Sequence, residues 1–183
     1  MKKYIKNFVI HFSDKNYLIK SSGRTIIISY NDGNNIELIK LPFCFPRDFH
    51  FNLNLLKRIL RSNVKEVIFD KHNGKLIVIR NNSVYLIRDK NYKLIGSIEG
   101  DAPLFNSHCV HYGIIYFGQY DQNKSRKESR IYKINENDDL LIAHKFPAGQ
   151  IRHVHSISVD PEIENRIWIT TGDNDGECLL LYT

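Results

Sequence analysis

No long apolar run occurs anywhere in the 183 residues. Nothing approaches the roughly 18 residues of a membrane-spanning helix, so no membrane span is expected. No secretory leader is expected either. MKKYIKNFVIHFSDKN at 1–16 has a basic tip, but Asn7 and His11 break its apolar stretch and no small-residue cleavage site follows. The chain therefore reads as cytoplasmic. Cysteine is scarce: Cys44, Cys109 and Cys178 form an odd set with no CxxC pair. That favours small buried hydrophobes over a disulfide framework or a zinc site. No G-x-S-x-G, P-loop or dinucleotide fingerprint occurs. With 42% hydrophobic and 25% charged residues, the composition is that of a globular domain and excludes disorder.

The formal net charge of +6 is not concentrated. Lysines and arginines are interspersed with acids. The densest cluster, NKSRKESR at 123–130, contains Glu128 and reads as a solvated hairpin tip. No stacking motif accompanies it, so no nucleic-acid partner is expected.

What the sequence does have is a repeat. VKEVIFD (64–70), KLIVI (75–79), SVYLIR (83–88) and YKLIGSIE (92–99) are β-rich runs separated by HNG, Asn81-Asn82 and DKN turns. Four strands on short turns form one propeller blade. NSHCVH (106–111), IIYFGQY (114–120), SRIYKI (129–134) and LLIAHKF (140–146) repeat the plan. HVHSISVD (153–160), RIWITT (166–171) and ECLLLYT (177–183) repeat it again, with three strands. The inner strands start about 40–50 residues apart, the spacing of propeller repeats. A weaker copy precedes them, with YLIK (17–20), TIIISY (25–30), an Asn31-Asp32-Gly33 hairpin signal and NIELIKL (35–41). An earlier strand at 4–12 either completes this blade or pairs elsewhere.

The expected fold is an all-β propeller of about three and a half four-stranded blades, forming an incomplete ring. One domain of 1–183 holds blades at 4–41, 64–99, 106–146 and 152–183. Leu53, Leu56, Ile59 and Leu60 in NLNLLKRILRS predict a short amphipathic helix at 52–62. Trp168, between Ile167 and Ile169, is expected to be packed on both faces. A partial ring leaves sheet edges open, so self-association through them is expected.

The densest polar cluster is RHVH at 152–155. Period-two alternation places His153 and His155 on one side of a strand. With Arg152 they could hold an anion, or the two imidazoles could ligate a metal. Alternatively, one lines a wet channel and the other bonds backbone. Asp173, Asp175 and Glu177 alternate in the following TTGDNDGEC loop, which lacks the EF-hand pattern and reads equally as a hairpin turn. The candidate ligand-binding set is Arg152, His153, His155, Asp173, Asp175 and Glu177. No catalytic residue or cofactor is assigned, and a divalent metal is the open alternative. His108 and His111, near Tyr120 and Asp121, are three apart and should face opposite sides of a strand.

IIYFGQY, RIYKI, FPAGQIRHVHSISVDP and RIWITTGDNDGEC together resemble the bacterial sialidase-like, Asp-box (BNR) repeat propellers, including glycosyl hydrolase-like members of surface-polysaccharide loci. The resemblance is strongest over 101–178. It implies a propeller with more blades than this chain holds, and carbohydrate as partner. Sialidases use an arginine cluster, a Tyr nucleophile and an Asp acid, opened by Arg-Ile-Pro. LPFCFPRDF at 41–49 is not that motif, and NENDDLLI is at most a decayed Asp-box. The resemblance therefore implies the fold, with glycan binding or hydrolysis as the expected function. A protein-interaction scaffold and a truncated product are the alternatives.

Overall fold

The structure is a computed structural model that describes residues 8–30, 35–45, 48, 63–104 and 107–182. The described residues are all-β and form four consecutive antiparallel sheets in a propeller-like arrangement. The first holds β1 (Val9–Ser13), β2 (Tyr17–Ser22), β3 (Thr25–Tyr30) and β4 (Asn35–Lys40) in chain order. The second holds β5 (Glu66–Asp70), β6 (Lys75–Arg80), β7 (Ser83–Arg88) and β8 (Asn91–Ser97). In the third, β9 (His108–His111), β10 (Ile114–Gly118), β11 (Ser129–Ile134) and β12 (Leu140–Phe146) pair in the same way. The fourth has three strands, β13 (Val154–Val159), β14 (Ile167–Thr171) and β15 (Leu180–Tyr182). The helix expected at 52–62 and the Asn31-Asp32-Gly33 turn lie outside the described residues.

Short meanders follow from turn chemistry. Asn81 and Asn82 take φ of 51° and 65°, Asp89 and Lys90 take 51° and 63°, and Tyr112 and Gly113 take 48° and 74°. Two consecutive left-handed residues make the two-residue hairpin whose twist matches that of the strands. The DKN run thus contributes only Asp89 and Lys90 to its turn, and Asn91 already pairs with Arg88.

Side-chain alternation then stacks the sheets. β6 is buried at every position. Its Leu76 and Val78 join Ile26, Ile28 and Ile39 of the first sheet in one core. Its Ile77 and Ile79 join Ile115, Phe117 and Ile134 of the third sheet in the next. β7 divides likewise, with Tyr85 and Ile87 on one side and Val84 and Leu86 on the other. A third core joins Cys109, Ile131 and Phe146 to Val154, Ile157, Ile167 and Ile169. A strand apolar on both faces is thus the signature of a sheet sandwiched between two others. Each such side chain contributes about 1.5–3 kcal/mol by burial.

The same alternation explains a departure from expectation. Ile167 and Ile169 face the third core, so Trp168 points to the opposite face of β14 and is half-buried rather than core. There its Nε1–H donates to Asp160 Oδ2 at 2.7 Å, its ring meets Tyr182 edge-on, and the Arg166 guanidinium lies 5.5 Å from its centroid.

Candidate functional site

The third and fourth sheets meet at the start of β13. Val154 N–H donates to Gln119 O at 3.1 Å, and Gly172 N–H donates to His153 O at 3.2 Å. These bonds hold the start of β13 between the end of β10 and the loop that follows β14. Asp101 N–H donates to Tyr120 O at 3.0 Å, which fixes the segment carrying Tyr120 and Asp121.

His153 precedes the strand, which begins at Val154. Register shifts between Val154, opposite Thr171, and Ser156, opposite Thr170. His155 is therefore the extra residue of a β-bulge. A bulge re-aims its side chain, and here it replaces simple alternation as the device that brings the histidines together. Their rings lie 4.8 Å apart at 84°. His155 Nε2 is 2.8 Å from Asp173 Oδ1, and His153 Nε2 is 3.2 Å from Asp173 Oδ2. Tyr120 completes the cluster, its centroid 4.5 Å from that of His153 and 6.3 Å from that of His155.

His153 is 2% exposed. Its Nδ1 lies 2.8 Å from Asp121 O, and a carbonyl only accepts, so Nδ1 carries the proton. In the neutral ring Nε2 is then a bare lone pair. It makes no hydrogen bond and faces the Asp173 carboxylate. Asp173 is exposed. Burial pushes the Asp173 carboxyl up, but its contacts with His153 and His155 more than reverse this and hold the group below its ordinary value.

The loop acids divide. Glu177 is buried and turns away from the histidines. Arg126 Nη2 lies 2.5 Å from its Oε1, Arg152 Nε 3.5 Å, and Asn174 Nδ2 3.1 Å. Burial raises its carboxyl, and the Asn174 amide with the two guanidinium groups more than reverses this, leaving it lowered. Arg152 is thus turned to Glu177. Asp175 is exposed on the loop. Of the six candidates, the structure brings His153, His155 and Asp173 together, pairs Arg152 with Glu177, and leaves Asp175 at the surface. Gly172, at φ +72°, permits this return, because a Cβ there would collide with the Glu177 backbone.

The basic hairpin is bound into the fold. Asn123 Nδ2–H and Ser129 Oγ–H both donate to Arg152 O at 2.7 Å. Arg130 bridges Glu99 and Glu128 at 2.7 and 2.8 Å. Long-range pairing of Arg126 with Glu177 has no local sequence signal, and neither does the Asp121 carbonyl that orients His153.

His108 and His111 face apart. His111 packs on Tyr112, 4.3 Å between centroids, while His108 Nδ1 lies 3.8 Å from Glu66 Oε1. Glu66 is 0% exposed and neither carboxylate oxygen has a hydrogen-bond partner. Burial pushes Glu66 up to about 8 and His108 down to about 4, so at neutral pH an uncharged carboxyl faces an uncharged imidazole. The contact is not an ion pair.

No family model matches this chain, and no curated protein matches it. Among solved structures it is similar to PorZ, an essential bacterial surface component of the type-IX secretion system of Porphyromonas gingivalis. The TM-score is 0.50 at 14% identity, covering 99% of this chain and 20% of that one. The chain thus spans about a fifth of the PorZ chain. A luciferin-regenerating enzyme aligns with TM-score 0.37 and 14% identity over 94% of this chain and 75% of that one. The likeness to PorZ concerns the fold alone.

Proposed function

We propose that the chain is a ligand-binding propeller unit that takes carbohydrate at the cluster of His153, His155, Asp173 and Tyr120. The observation that carries this reading is the half-buried Tyr120 ring set beside two imidazoles and an exposed carboxylate. An aromatic surface bordered by a few fixed polar groups suits a sugar, whose C–H face packs on the ring while its hydroxyls meet the donors and acceptors. The resemblance to Asp-box propellers supplies the same ligand class. Binding is favoured over hydrolysis. Glycoside hydrolysis generally needs two available carboxyl groups, and Glu177, the nearby buried acid, is occupied by Arg126 and Arg152.

A glycan array on the purified chain, followed by titration of the strongest ligand, tests this. Tyr120→Ala and Asp173→Asn should each weaken binding by about tenfold, the loss of roughly one good contact worth about 1.4 kcal/mol. An array without signal, or a ligand bound equally well by both variants, would refute the reading.

A further inference from the structure

We propose that His153, His155 and Asp173 are the three protein ligands of a divalent transition-metal ion. The inference deepens the carbohydrate reading and rests on it for the ligand, but the metal is argued from the cluster alone.

The first argument is the orphaned lone pair. His153 is nearly sealed from solvent, its Nδ1–H is committed to Asp121 O, and its Nε2 has no hydrogen-bond donor. A buried lone pair facing a carboxylate is unfavourable unless a cation, a second ring proton or a metal ion, lies between them. A metal ion meets that need. The backbone bond at Nδ1 also fixes the ring and tautomer, as in metal sites where the distal nitrogen is anchored by a carbonyl or carboxylate.

The second argument is convergence. One donor atom from each residue lies within 4.8 Å of the others. Tetrahedral bonds of about 2.0–2.2 Å set neighbouring donors about 3.3–3.6 Å apart. His153 Nε2 lies 3.2 Å from Asp173 Oδ2, close to this, whereas His155 Nε2 lies 2.8 Å from Oδ1, so the carboxylate must turn to offer one oxygen to the ion and the second separation must open slightly. The latter pair can move, because His155 is half-buried and Asp173 exposed. The third argument is donor chemistry. Two imidazoles and one carboxylate suit zinc and its first-row neighbours, whereas calcium and magnesium prefer oxygen donors throughout. Three protein ligands leave at least one coordination position for water or for a hydroxyl of the bound ligand.

The test is calorimetric titration of Zn²⁺ into the chelator-stripped chain without sugar, with Co²⁺ absorption to report coordination geometry. One ion per chain is expected, with the visible bands of a four- or five-coordinate cobalt site. Asp173→Asn and His155→Ala change side chains outside the core, so both variants should keep the parent circular dichroism. Each should weaken Zn²⁺ binding at least about tenfold, the lower bound for groups that merely support metal ligands. Ca²⁺ should not compete. Failure of the parent chain to bind Zn²⁺, or unchanged affinity in both folded variants, would overturn the assignment. A chain that binds glycan but no Zn²⁺ overturns the metal alone. One that binds Zn²⁺ but no glycan supports the metal and removes the carbohydrate reading.

Discussion

At Gly118 the third sheet lies directly against Val154 of the fourth, and adding one methyl there tests the packing on which the site depends. A Cβ at Gly118 would fall inside van der Waals distance of Val154 Cβ and Cγ1 and lie 3.1 Å from Cγ2. Val154 is 0% exposed and seated in the core between the two sheets. The obstacle includes its Cβ, which no rotamer change can withdraw, so the backbone of β10 or β13 must shift. Overpacking of this kind costs about 1–3 kcal/mol, and the upper half of that range is expected here. Val154→Ala alone removes two buried methyl groups at about 0.8 kcal/mol each, plus a cavity contribution, or about 2 kcal/mol. In the double variant the smaller residue accommodates part of the added methyl. The two losses should then fall short of their sum by about 1 kcal/mol. Urea unfolding of the parent and the three variants measures this cycle. Val154 lies between His153 and His155, so the Gly118→Ala shift should also weaken Zn²⁺ and glycan binding. A Gly118→Ala variant within about 0.5 kcal/mol of the parent, or strictly additive losses, would show that Gly118 and Val154 are not in tight contact.

Stability should peak near the ordinary histidine value. His11 and His108 are pushed down from 6.5 to about 4 by burial, so the unfolded chain binds their protons first and stability falls as pH drops from 6.5 to 4. Glu66 is raised from 4.5 to about 8, so the folded chain keeps a proton that the unfolded chain releases, and stability falls as pH rises from 4.5 through 8. Above pH 6.5 only the Glu66 limb remains of these three. Glu66→Gln should flatten it, recovering about 1–2 kcal/mol by pH 8 in urea titrations, and an unchanged limb would assign it elsewhere. Trp168→Ala should cost about 2 kcal/mol, less than the 3–5 of a fully buried aromatic, and a loss above 4 would place the ring in the core. The outermost strands expose Leu38, Leu94, Leu180 and Tyr182, so the isolated chain should self-associate. Replacing Leu180 with Lys should reduce this in light scattering, and a parent already monodisperse at 21.5 kDa would refute it.

The meander was legible in local sequence alone. Strand runs, turn residues and their spacing are local, and each hairpin needs only its own residues to form. Strands apolar on both faces, such as KLIVIR of β6, also announced that sheets would stack, because period two divides such a strand between two cores. His153, His155 and Asp173 were already among the sequence candidates, the two histidines because they are close in sequence and Asp173 because it lies in the acidic loop that follows. Tertiary structure decided the rest. A bulge, not alternation, joins the histidines, and it depends on how β13 registers against β14. Asp173 reaches them because Gly172 turns the loop back, while Glu177, four residues later, is drawn off by Arg126 from a distant hairpin. Trp168 faces outward because its neighbours face inward. Nothing in the residues flanking Glu66 marks its carboxyl as buried. The fold buries its carboxyl and sets His108 beside it, since desolvation is set by what surrounds a group and not by its neighbours in the chain.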